Sequence, residues 1–252
     1  MSKVNFALLG RSTKHSFSPS YFKNKFDTLK LDSYSYTGIE LENIMDFNSI
    51  DLQSYRGMNV TIPYKTAIIP LIDYVSPLAS HVRAVNTIYI DKANRTYGFN
   101  TDCYGFRKSL IAFLPNDFEI SALVLGTGGA SNAISHVLDG LGITYKLVSR
   151  NATESSDWIT YNQLNTQLID NNLLIINTTP VGMYPDIESK PSFPYEAIGS
   201  NHYLFDLIYN PEKTVFLKEG EQRNAHIQNG YKMLTHQADK SWEIWNKLYT
   251  YP

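Results

Sequence analysis

The chain has 252 residues, of which 43% are hydrophobic and 18% charged, which fits a soluble globular protein with one large domain or two smaller ones. A formal net charge of −2 gives no electrostatic reason to expect nucleic acid or an anionic membrane as a partner. The single cysteine excludes an intramolecular disulfide framework, and the scattered histidines match no zinc-ligand spacing. Because no apolar run is long enough for a signal peptide or a membrane span, we expect a cytoplasmic protein without a bound metal.

The first predicted strand covers residues 4–9. Ser18 and Pro19 then predict a helix start, with Ser18 at the N-cap and Pro19 at the first helical position. Ser16 lies two residues earlier, so two hydroxyls can also converge beside the helix N-terminus, where a carboxylate or phosphate binds well. The local sequence leaves both interpretations open: a simple cap, or an anion site.

A second strand is predicted at residues 33–36, a short helix at residues 41–47 and a third strand from Gly57. This strand runs into Thr61-Ile62-Pro63, where Thr61 or Ile62 caps a helix that Pro63 opens. Lys65 then falls in the first helical turn. A lysine there opposes the helix macrodipole and is unfavourable for stability, which favours a role in proton transfer over that of a solvated surface lysine.

Residues 85–91 and 95–100 predict a β-hairpin, and a helix is predicted at residues 103–113. Asp102 lies immediately before that helix. Asp102 or Thr101 either caps the helix, or Asp102 forms an ion pair or a proton-sharing pair with Lys65. Spacing along the chain does not decide between the two.

Residues 114–117 are the favoured linker, and a dinucleotide-binding unit is predicted after them. The buried strand at residues 122–125 runs into the glycine-rich turn at residues 126–129, and a helix follows to about residue 141. Such a turn brings backbone N–H groups and the positive end of a helix dipole to a pyrophosphate. Ser131 stands where the strict G-x-G-x-x-G pattern has Gly or Ala, so the match is imperfect.

The next predicted strand, residues 144–148, ends at Ser149-Arg150-Asn151. An NAD-binding unit normally has Asp or Glu at this point to bind the ribose 2′-hydroxyl, but no carboxylate occurs between Asp139 and Glu154. Arg150 instead provides a cation for a 2′-phosphate. The sequence therefore predicts NADP(H) as the cofactor.

Further buried strands are predicted at residues 173–177 and 203–207, and their alternation with helices indicates an α/β fold with a parallel, doubly wound sheet. The last predicted helix covers residues 233–249. Its apolar stripe, which includes Trp242, Trp245 and Tyr249, is expected to face a core, with Met233 and Gln237 on a neighbouring face.

The ordered motifs resemble those of the shikimate dehydrogenase family over essentially the whole chain. They are G-x-x-x-x-H-S-x-S-P at residues 10–19, N-V-T-x-P-x-K at 59–65, A-V-N-T at 84–87, G-x-N-T-D at 98–102, G-x-G-G-A at 126–130 and M-L-x-x-Q at 233–237. The resemblance implies an α/β substrate domain formed by residues 1–101 and 236–252, with a C-terminal helix that returns to it. Residues 102–235 would form a Rossmann-type NADP domain.

The same resemblance implies reversible, NADPH-dependent reduction of 3-dehydroshikimate to shikimate in the shikimate pathway of aromatic amino-acid biosynthesis. Lys65 and Asp102 would be the catalytic pair. Substrate-binding residues would be Ser16, Ser18 and Tyr209 for the carboxylate, and Asn59, Thr61, Asn86 and Gln237 for the rest of the molecule. Cofactor-binding residues would be Gly126, Thr127, Gly128, Gly129, Ala130, Ser149, Arg150, Thr178, Thr179, Leu207, Gly230 and Met233.

Several residues depart from the family pattern. Ser12 replaces a common Pro in the first loop, Cys103 replaces a Gly after Asp102, and Asn132 stands where a basic residue is common. Two alternatives are compatible with the same scaffold: a quinate/shikimate dehydrogenase that uses NAD, and a catalytically idle NADP-binding protein. The missing acidic residue near Arg150 argues against the first, and the presence of both Lys65 and Asp102 argues against the second. The expected partner is a small-molecule substrate, and the chain would act as a monomer or a homodimer.

Overall fold

A computed structural model describes residues 3–14, 16–116, 119–151 and 157–247. The chain folds as two compact units, unit 1 comprising residues 1–105 with 234–252 and unit 2 comprising residues 106–233. The predicted domain division lies a few residues from these boundaries and stays a prediction. Residues 114–117, the favoured linker, lie within unit 2, and residue 117 is outside the described part of the chain.

Each unit contains one six-stranded sheet. Sheet A, in unit 1, is formed by β1 (Val4–Gly10), β2 (Tyr34–Glu40), β3 (Gly57–Val60), β4 (Tyr74–Val75), β5 (Thr87–Ile90) and β6 (Thr96–Phe99). Sheet B, in unit 2, is formed by β7 (Ala122–Leu125), β8 (Tyr145–Ser149), β9 (Trp158–Thr160), β10 (Leu174–Asn177), β11 (Tyr203–Asp206) and β12 (His226–Gln228).

The α-helices are α1 (Phe17–Thr28), α2 (Tyr64–Ala67), α3 (Pro77–His81), α4 (Asp102–Phe113), α5 (Gly129–Gly140), α6 (Thr166–Asp170), α7 (Val215–Glu221) and α8 (Tyr231–Asn246). Short 3₁₀-helices occupy Ile44–Ser49, Leu52–Ser54, Ile69–Leu71, Tyr161–Gln163 and Tyr195–Ala197. No helix among the described residues is both long enough and apolar enough to span a membrane.

Sheet A is mixed, in the order β2-β1-β3-β5-β6-β4. β1 is parallel to β2 and β3, whereas β5 is antiparallel to β3 and β6, which confirms the predicted hairpin. On one face, Phe6 of β1 packs with Phe22, Phe26 and Trp245 from α1 and α8. The indole Nε1 of Trp245 donates to the carbonyl of Ile88 at 2.9 Å, so α8 lies directly on the sheet.

Sheet B is entirely parallel, in the order β12-β11-β10-β7-β8-β9. The strand order reverses between β7 and β10, and this reversal is the topological switch point at which a doubly wound fold binds its ligand. Leu123, Ile175 and Leu204 contribute to a fully buried core, as continuous apolar strands of a parallel sheet require. The predicted doubly wound sheet is therefore confirmed.

Several predicted boundaries were wrong. The helix expected at residues 41–47 is the 3₁₀-helix Ile44–Ser49, because the Asn43 side chain accepts from the amide of Met45 and starts the helix there. Helix α1 begins at Phe17 with Ser16 at the N-cap, so Ser18 lies inside the first turn. The C-terminal helix extends from Tyr231 to Asn246, and Tyr249 of its predicted stripe lies outside the described residues.

Candidate active site

Lys65 and Asp102 form an ion pair in unit 1. The Nζ of Lys65 lies 2.7 Å from Oδ2 of Asp102, with 32% of the lysine side chain and 14% of the aspartate side chain exposed. The proposed cap before α2 was wrong, because Pro63 is the N-cap residue and no side chain caps the helix. Helix α2 has only four residues, so its macrodipole is small and the carboxylate of Asp102 is the main electrostatic partner of Lys65.

The carboxylate of Asp102 is not the helix cap. The side chain of Asn100 accepts from the backbone N–H of Cys103 at 3.1 Å, which satisfies one N–H of the first turn of α4 and leaves the Asp102 carboxylate for Lys65. Burial, followed by the neighbouring charge of Asp102, raises the pKa of the Cys103 thiol to about 12. Cys103 is therefore a buried thiol without nucleophilic character.

Three predicted substrate-binding amides lie together in unit 1. Asn59, Asn86 and Gln237 are each less than a tenth exposed. The Nδ2 of Asn86 donates to Oε1 of Gln237 at 3.0 Å, and the Nδ2 of Asn59 donates to the backbone carbonyl of Asn86 at 3.1 Å. The Oδ1 of Asn59 accepts from the Tyr36 hydroxyl at 2.8 Å, so Asn59 is bonded to the protein at both ends of its amide.

Thr61 directly follows β3, whereas Ser16 is the N-cap of α1 and Ser18 lies in its first turn. The Ser16 hydroxyl caps no backbone N–H, whereas the buried Ser18 hydroxyl bonds to that of Tyr36. The methyl group of Thr61 lies only 2.5 Å from the position that a Cβ on residue 10 would occupy. The close approach requires glycine at position 10 and brings the first loop against Thr61.

Glu40 holds the first loop in place. Its Oε1 accepts from the backbone N–H of Thr13 at 2.8 Å and from the Thr13 hydroxyl at 3.2 Å. These hydrogen bonds, that of the Thr13 amide foremost, lower the pKa of Glu40, and the Ser12 hydroxyl contributes another. The replacement of Pro by Ser12 therefore adds a hydrogen bond to a loop that β2 already anchors.

Unit 2 contains a cavity of about 670 Å³, within the size range of small-molecule sites. Its walls include the predicted cofactor residues Gly126, Thr127, Gly128, Ser149, Arg150, Thr178 and Thr179. The cavity lies at the carboxyl ends of β7, β8 and β10, where a doubly wound sheet binds its ligand.

The glycine turn fits a pyrophosphate. Gly126 has φ of +105°, and a Cβ there would lie 2.9 Å from the side chains of Thr178 and Thr179. Gly128 is the N-cap of α5 without a side-chain cap, and no atom would contact a Cβ at Gly128 or Gly129. The open backbone and the 12-residue helix behind it match the geometry that binds anionic phosphates.

Ser131 fits this turn in spite of its departure from the glycine pattern. It is 2% exposed, and its hydroxyl donates to the carbonyl of Gly128 at 2.6 Å, so the added polar group is satisfied within the turn. Ala130 and Asn132 are exposed in the same first turn.

Arg150 supplies the cation at the end of β8. It is exposed and lines the cavity beside Ser149, whose hydroxyl accepts from the backbone N–H of Asn151 at 3.2 Å. An arginine fork suits a phosphate dianion, and Ser149 and Asn151 add hydrogen-bonding groups. The residues present at this strand end therefore fit the 2′-phosphate of NADP(H).

Leu207, Gly230, Met233 and Tyr209 are not among the residues that line this cavity. Gly230 lies against the strand-end loop of β11, because a Cβ there would be 2.0 Å from the carbonyl oxygen of Leu207. Its N–H donates to the carbonyl of Ile208 at 3.0 Å. Tyr209 is half-buried in the same loop, and Met233 is buried near the start of α8.

Asn151, expected as a donor beside Arg150, also lines the cavity. Further walls were not predicted from the sequence, namely Val148, Tyr161, Asn162, Pro180, Val181, Lys190, Pro191 and Ser192. Pro180 and Val181 directly follow the predicted cofactor residues Thr178 and Thr179, so their position in the chain could have indicated them. Tyr161 begins a short 3₁₀-helix and Lys190 lies in a loop, and neither belongs to a motif. Lys190 forms an ion pair with Glu219, which also binds Arg223.

Asp206 is fully buried at the end of β11. Its Oδ1 accepts from Nδ2 of Asn177 and from the N–H of Ile208, each at 3.0 Å, and its Oδ2 accepts from the Thr214 hydroxyl at 2.6 Å. Burial, which outweighs these hydrogen bonds, raises the pKa of Asp206 to about 6. Asp206 thus joins β10, the loop after β11 and the N-cap of α7.

Within the described residues no cluster of three or more His, Cys, Asp or Glu side chains could hold a metal ion. The two sets of polar groups, the Lys65–Asp102 pair in unit 1 and the open glycine turn in unit 2, therefore carry the candidate chemistry.

Comparison with known proteins identifies the family. A family model described as the shikimate dehydrogenase substrate binding domain matches residues 8–88. The shikimate dehydrogenase (NADP(+)) of Clostridium beijerinckii is 39% identical over 258 aligned residues, covering 96% of this chain and 92% of that protein.

Solved structures agree with this match. The shikimate dehydrogenase of Aquifex aeolicus has a TM-score of 0.86 at 32% identity, covering 97% of this chain and 92% of that one. The shikimate 5-dehydrogenase of Thermus thermophilus in complex with NADP(H) and shikimate has a TM-score of 0.85 at 29% identity, covering 97% of this chain and 94% of that one. From its ordered motifs, its two sheets and these full-length relatives, the chain belongs to the shikimate dehydrogenase family.

Proposed function

We propose that this chain is an enzyme that reversibly reduces 3-dehydroshikimate to shikimate with NADPH, as a step of the shikimate pathway. The observation that carries the proposal is the 2.7 Å contact between Lys65 Nζ and Asp102 Oδ2, which provides a proton donor next to a carboxylate. The full-length relatives named as NADP(+)-dependent shikimate dehydrogenases support the choice of substrate and cofactor.

Bound NADPH would supply a hydride to the substrate carbonyl carbon, and the carbonyl oxygen then needs a proton. Lys65 donates that proton from Nζ, so the C=O group gains one hydride and one proton and becomes an alcohol. Asp102 accepts a hydrogen bond from the ammonium and holds it in place. In the reverse direction Lys65 Nζ takes the proton back from the hydroxyl. This pair acts where negative charge develops, so it contributes mainly to kcat.

The substrate is held by polar groups that we assign from the family motifs. Ser16, Ser18 and Tyr209 would bind the carboxylate. The Ser16 hydroxyl makes no capping hydrogen bond to the helix, which supports its assignment to the carboxylate. Thr61, Asn86 and Gln237 would bind ring hydroxyls. Asn59 completes the set, and its internal hydrogen bonds indicate that it acts largely through Asn86.

The cofactor would occupy the cavity of unit 2. The backbone of residues 126–130 would bind the pyrophosphate, Arg150 with Ser149 would bind the 2′-phosphate, and Thr178 and Thr179 would line the adjoining wall. We include Leu207, Gly230 and Met233 in the assignment from the family motifs.

The test is the initial rate of 3-dehydroshikimate reduction with NADPH and, in parallel, with NADH. We expect fast turnover with NADPH and little with NADH, and Arg150→Gln should raise KM for NADPH about tenfold or more while KM for NADH stays unchanged. The matched control is Arg95→Gln, at an exposed arginine paired with Asp91 in unit 1.

Other results would overturn parts of the proposal. Comparable rates with the two cofactors, together with turnover of quinate, would favour a quinate/shikimate dehydrogenase. Tight NADPH binding without turnover of 3-dehydroshikimate or quinate would favour the idle NADP-binding protein.

A further inference from the structure

A buried hydrogen-bond network in unit 1 fixes the orientation of the side-chain amides of Asn86 and Gln237. It starts at Thr101, the residue before Asp102, which is 1% exposed. The backbone N–H of Thr101 donates to Oδ1 of Asn86 at 2.7 Å. A backbone N–H is only ever a donor, so this end of the Asn86 amide must be its oxygen.

The orientation of Asn86 then fixes that of Gln237. The opposite end of the Asn86 amide is Nδ2, which donates to Oε1 of Gln237 at 3.0 Å and to the Thr101 hydroxyl at 3.0 Å. The Thr101 hydroxyl also lies 3.3 Å from Oε1 of Gln237. The oxygen of Gln237 is therefore turned toward Thr101 and Asn86. Its Nε2, which has no hydrogen-bond partner among the described residues, is left with two N–H donors.

A second branch holds the helix that carries Gln237. The Ser241 hydroxyl donates to the backbone carbonyl of Gln237 at 3.0 Å and therefore accepts from Nδ2 of Asn59 at 3.0 Å. It also lies 2.8 Å from the Thr87 hydroxyl, which in turn lies 3.2 Å from that of Thr101. Ser241 and Thr87 are fully buried, so this branch excludes water and fixes α8 against β3 and β5.

We propose that Thr101 is a positioning residue, whose backbone N–H and hydroxyl orient Asn86 and Gln237 so that Gln237 meets the substrate as a hydrogen-bond donor. The substrate group that it binds is then an oxygen acting as acceptor, which keeps its own proton for another partner. This inference rests on the proposed function, because it concerns how the proposed site binds 3-dehydroshikimate.

The test compares Thr101→Val, which removes the hydroxyl at nearly constant volume, with Thr101→Ser, which keeps it. The backbone N–H of Thr101 and the contact between Asn86 Nδ2 and Gln237 Oε1 remain in both variants. Without the hydroxyl, one N–H of Asn86 loses its acceptor and Gln237 Oε1 loses one of its two donors, so the Gln237 amide is held less firmly in this orientation. We expect Thr101→Val to raise KM for 3-dehydroshikimate about tenfold, with KM for NADPH unchanged. Thr101→Ser should restore KM to within about twofold of wild type.

Further readouts separate positioning from a purely structural role. In wild-type protein saturated with shikimate, the side-chain amide of Gln237 should give one sharp pair of ¹H–¹⁵N resonances, and Thr101→Val should broaden or split them. If Thr101→Val does not fold, Thr101→Ala replaces it, because alanine and serine at this position differ only by the hydroxyl.

The inference is overturned if removing the hydroxyl leaves KM for 3-dehydroshikimate within twofold of wild type. It is also overturned if Thr101→Ser is impaired as strongly as Thr101→Val, since the methyl group would then be what matters. Wild-type protein without turnover would instead overturn the proposed function itself.

Discussion

The ion pair of Lys65 and Asp102 contributes little to the stability of the fold. About a third of the lysine side chain is exposed, and exposed ion pairs contribute only about 0–1 kcal/mol to the free energy of unfolding. The pair is therefore better explained by a role in proton transfer than by a contribution to stability.

Lys65→Ala should lower kcat for 3-dehydroshikimate reduction by about 10²–10⁴-fold, the usual contribution of a general acid, with a much smaller change in KM. The free energy of unfolding should change by less than about 1 kcal/mol. Steady-state kinetics and chemical denaturation measure the two effects. The control, Lys213→Ala, removes an exposed lysine from its ion pair with Glu221 and should leave both quantities unchanged. A raised KM with intact kcat would rule out Lys65 as the proton donor.

Single residues were predictable where a motif holds them and not where strand register brings them together. Lys65 and Asp102 each lie in a motif, and the structure places them in contact. Ser241 lies in no motif, and the A-V-N-T motif that contains Thr87 does not show which side chains Thr87 contacts. Thr87 joins the network because β3 pairs Asn59 with Thr87 and β5 pairs Thr87 with Phe99, close to Thr101. A register of this kind depends on the packing of the whole sheet, so local sequence does not contain it.

At the scale of elements, Asp206 links β10, β11 and α7. Thr214, which donates to Asp206, also caps α7 by accepting from the N–H of Leu217 at 3.3 Å. A buried carboxylate costs free energy when it is ionised, and the cost is tolerated here because three donors surround it. The loop of residues 207–214, which contains Tyr209, is attached to this one buried group.

The raised pKa of Asp206 makes the stability of this region depend on pH. The folded value of about 6 lies above the ordinary value of 3.8, so the folded state binds more protons between these two pH values. Stability is therefore fully present below about pH 4 and is lost as the pH rises through 6, by up to about 3 kcal/mol.

Asp206→Asn should remove that dependence, although it lowers stability overall, because an amide NH₂ would face one of the three donors. Native-state hydrogen exchange of the β10 and β11 amides, corrected for intrinsic rates, measures the local free energy of opening between pH 4.5 and 7.5. The difference in opening free energy between wild type and variant should become smaller, or change sign, as the pH rises. The control, Asp170→Asn, changes an exposed residue in the same unit. A constant difference across this range would show that Asp206 does not titrate there.

Elements were predictable where they are long and periodic. The central strands β7, β8, β10 and β11, the glycine turn and the C-terminal helix follow from apolar runs and helical spacing. The three-residue edge strands β9 and β12 were not predicted. Short elements were missed or misplaced: β4 has two residues and α3 has five. Likewise, the start of α1 depends on Ser16 rather than on the Ser-Pro pair, because the first turn accommodates Ser18 as a buried residue. Tertiary contacts overrode local preference at these ends.

At the scale of the whole molecule, unit 1 is built from two separate parts of the chain. Residues 234–252 return to residues 1–105, and the aromatic cluster of Phe6, Phe22, Phe26 and Trp245 joins them. The aromatic cluster lies within unit 1, and the core of sheet B that contains Leu123, Ile175 and Leu204 lies within unit 2. The residues that line the cavity of about 670 Å³ lie in unit 2.

A substitution in the aromatic cluster should therefore affect the two units differently. Trp245→Ala removes a fully buried indole and its hydrogen bond to Ile88, which should cost about 3–5 kcal/mol in unit 1. Hydrogen exchange of the β1 and β3 amides should accelerate by about 10²–10³-fold or more, while the β7 and β10 amides keep their protection. Affinity for NADPH should stay within about twofold, because no wall of the cavity that we propose as its site changes.

The control is Trp158→Ala, at a half-buried tryptophan in β9 of unit 2, which should deprotect sheet B and leave sheet A unchanged. If Trp245→Ala deprotected both sheets equally, the two units would unfold as one cooperative structure. Loss of protection confined to sheet A would mean that the C-terminal helix stabilises the substrate-binding unit independently of the unit that holds the cofactor. The free energy that fixes Gln237 against Asn86 would then come from a core that the NADP-binding sheet does not share.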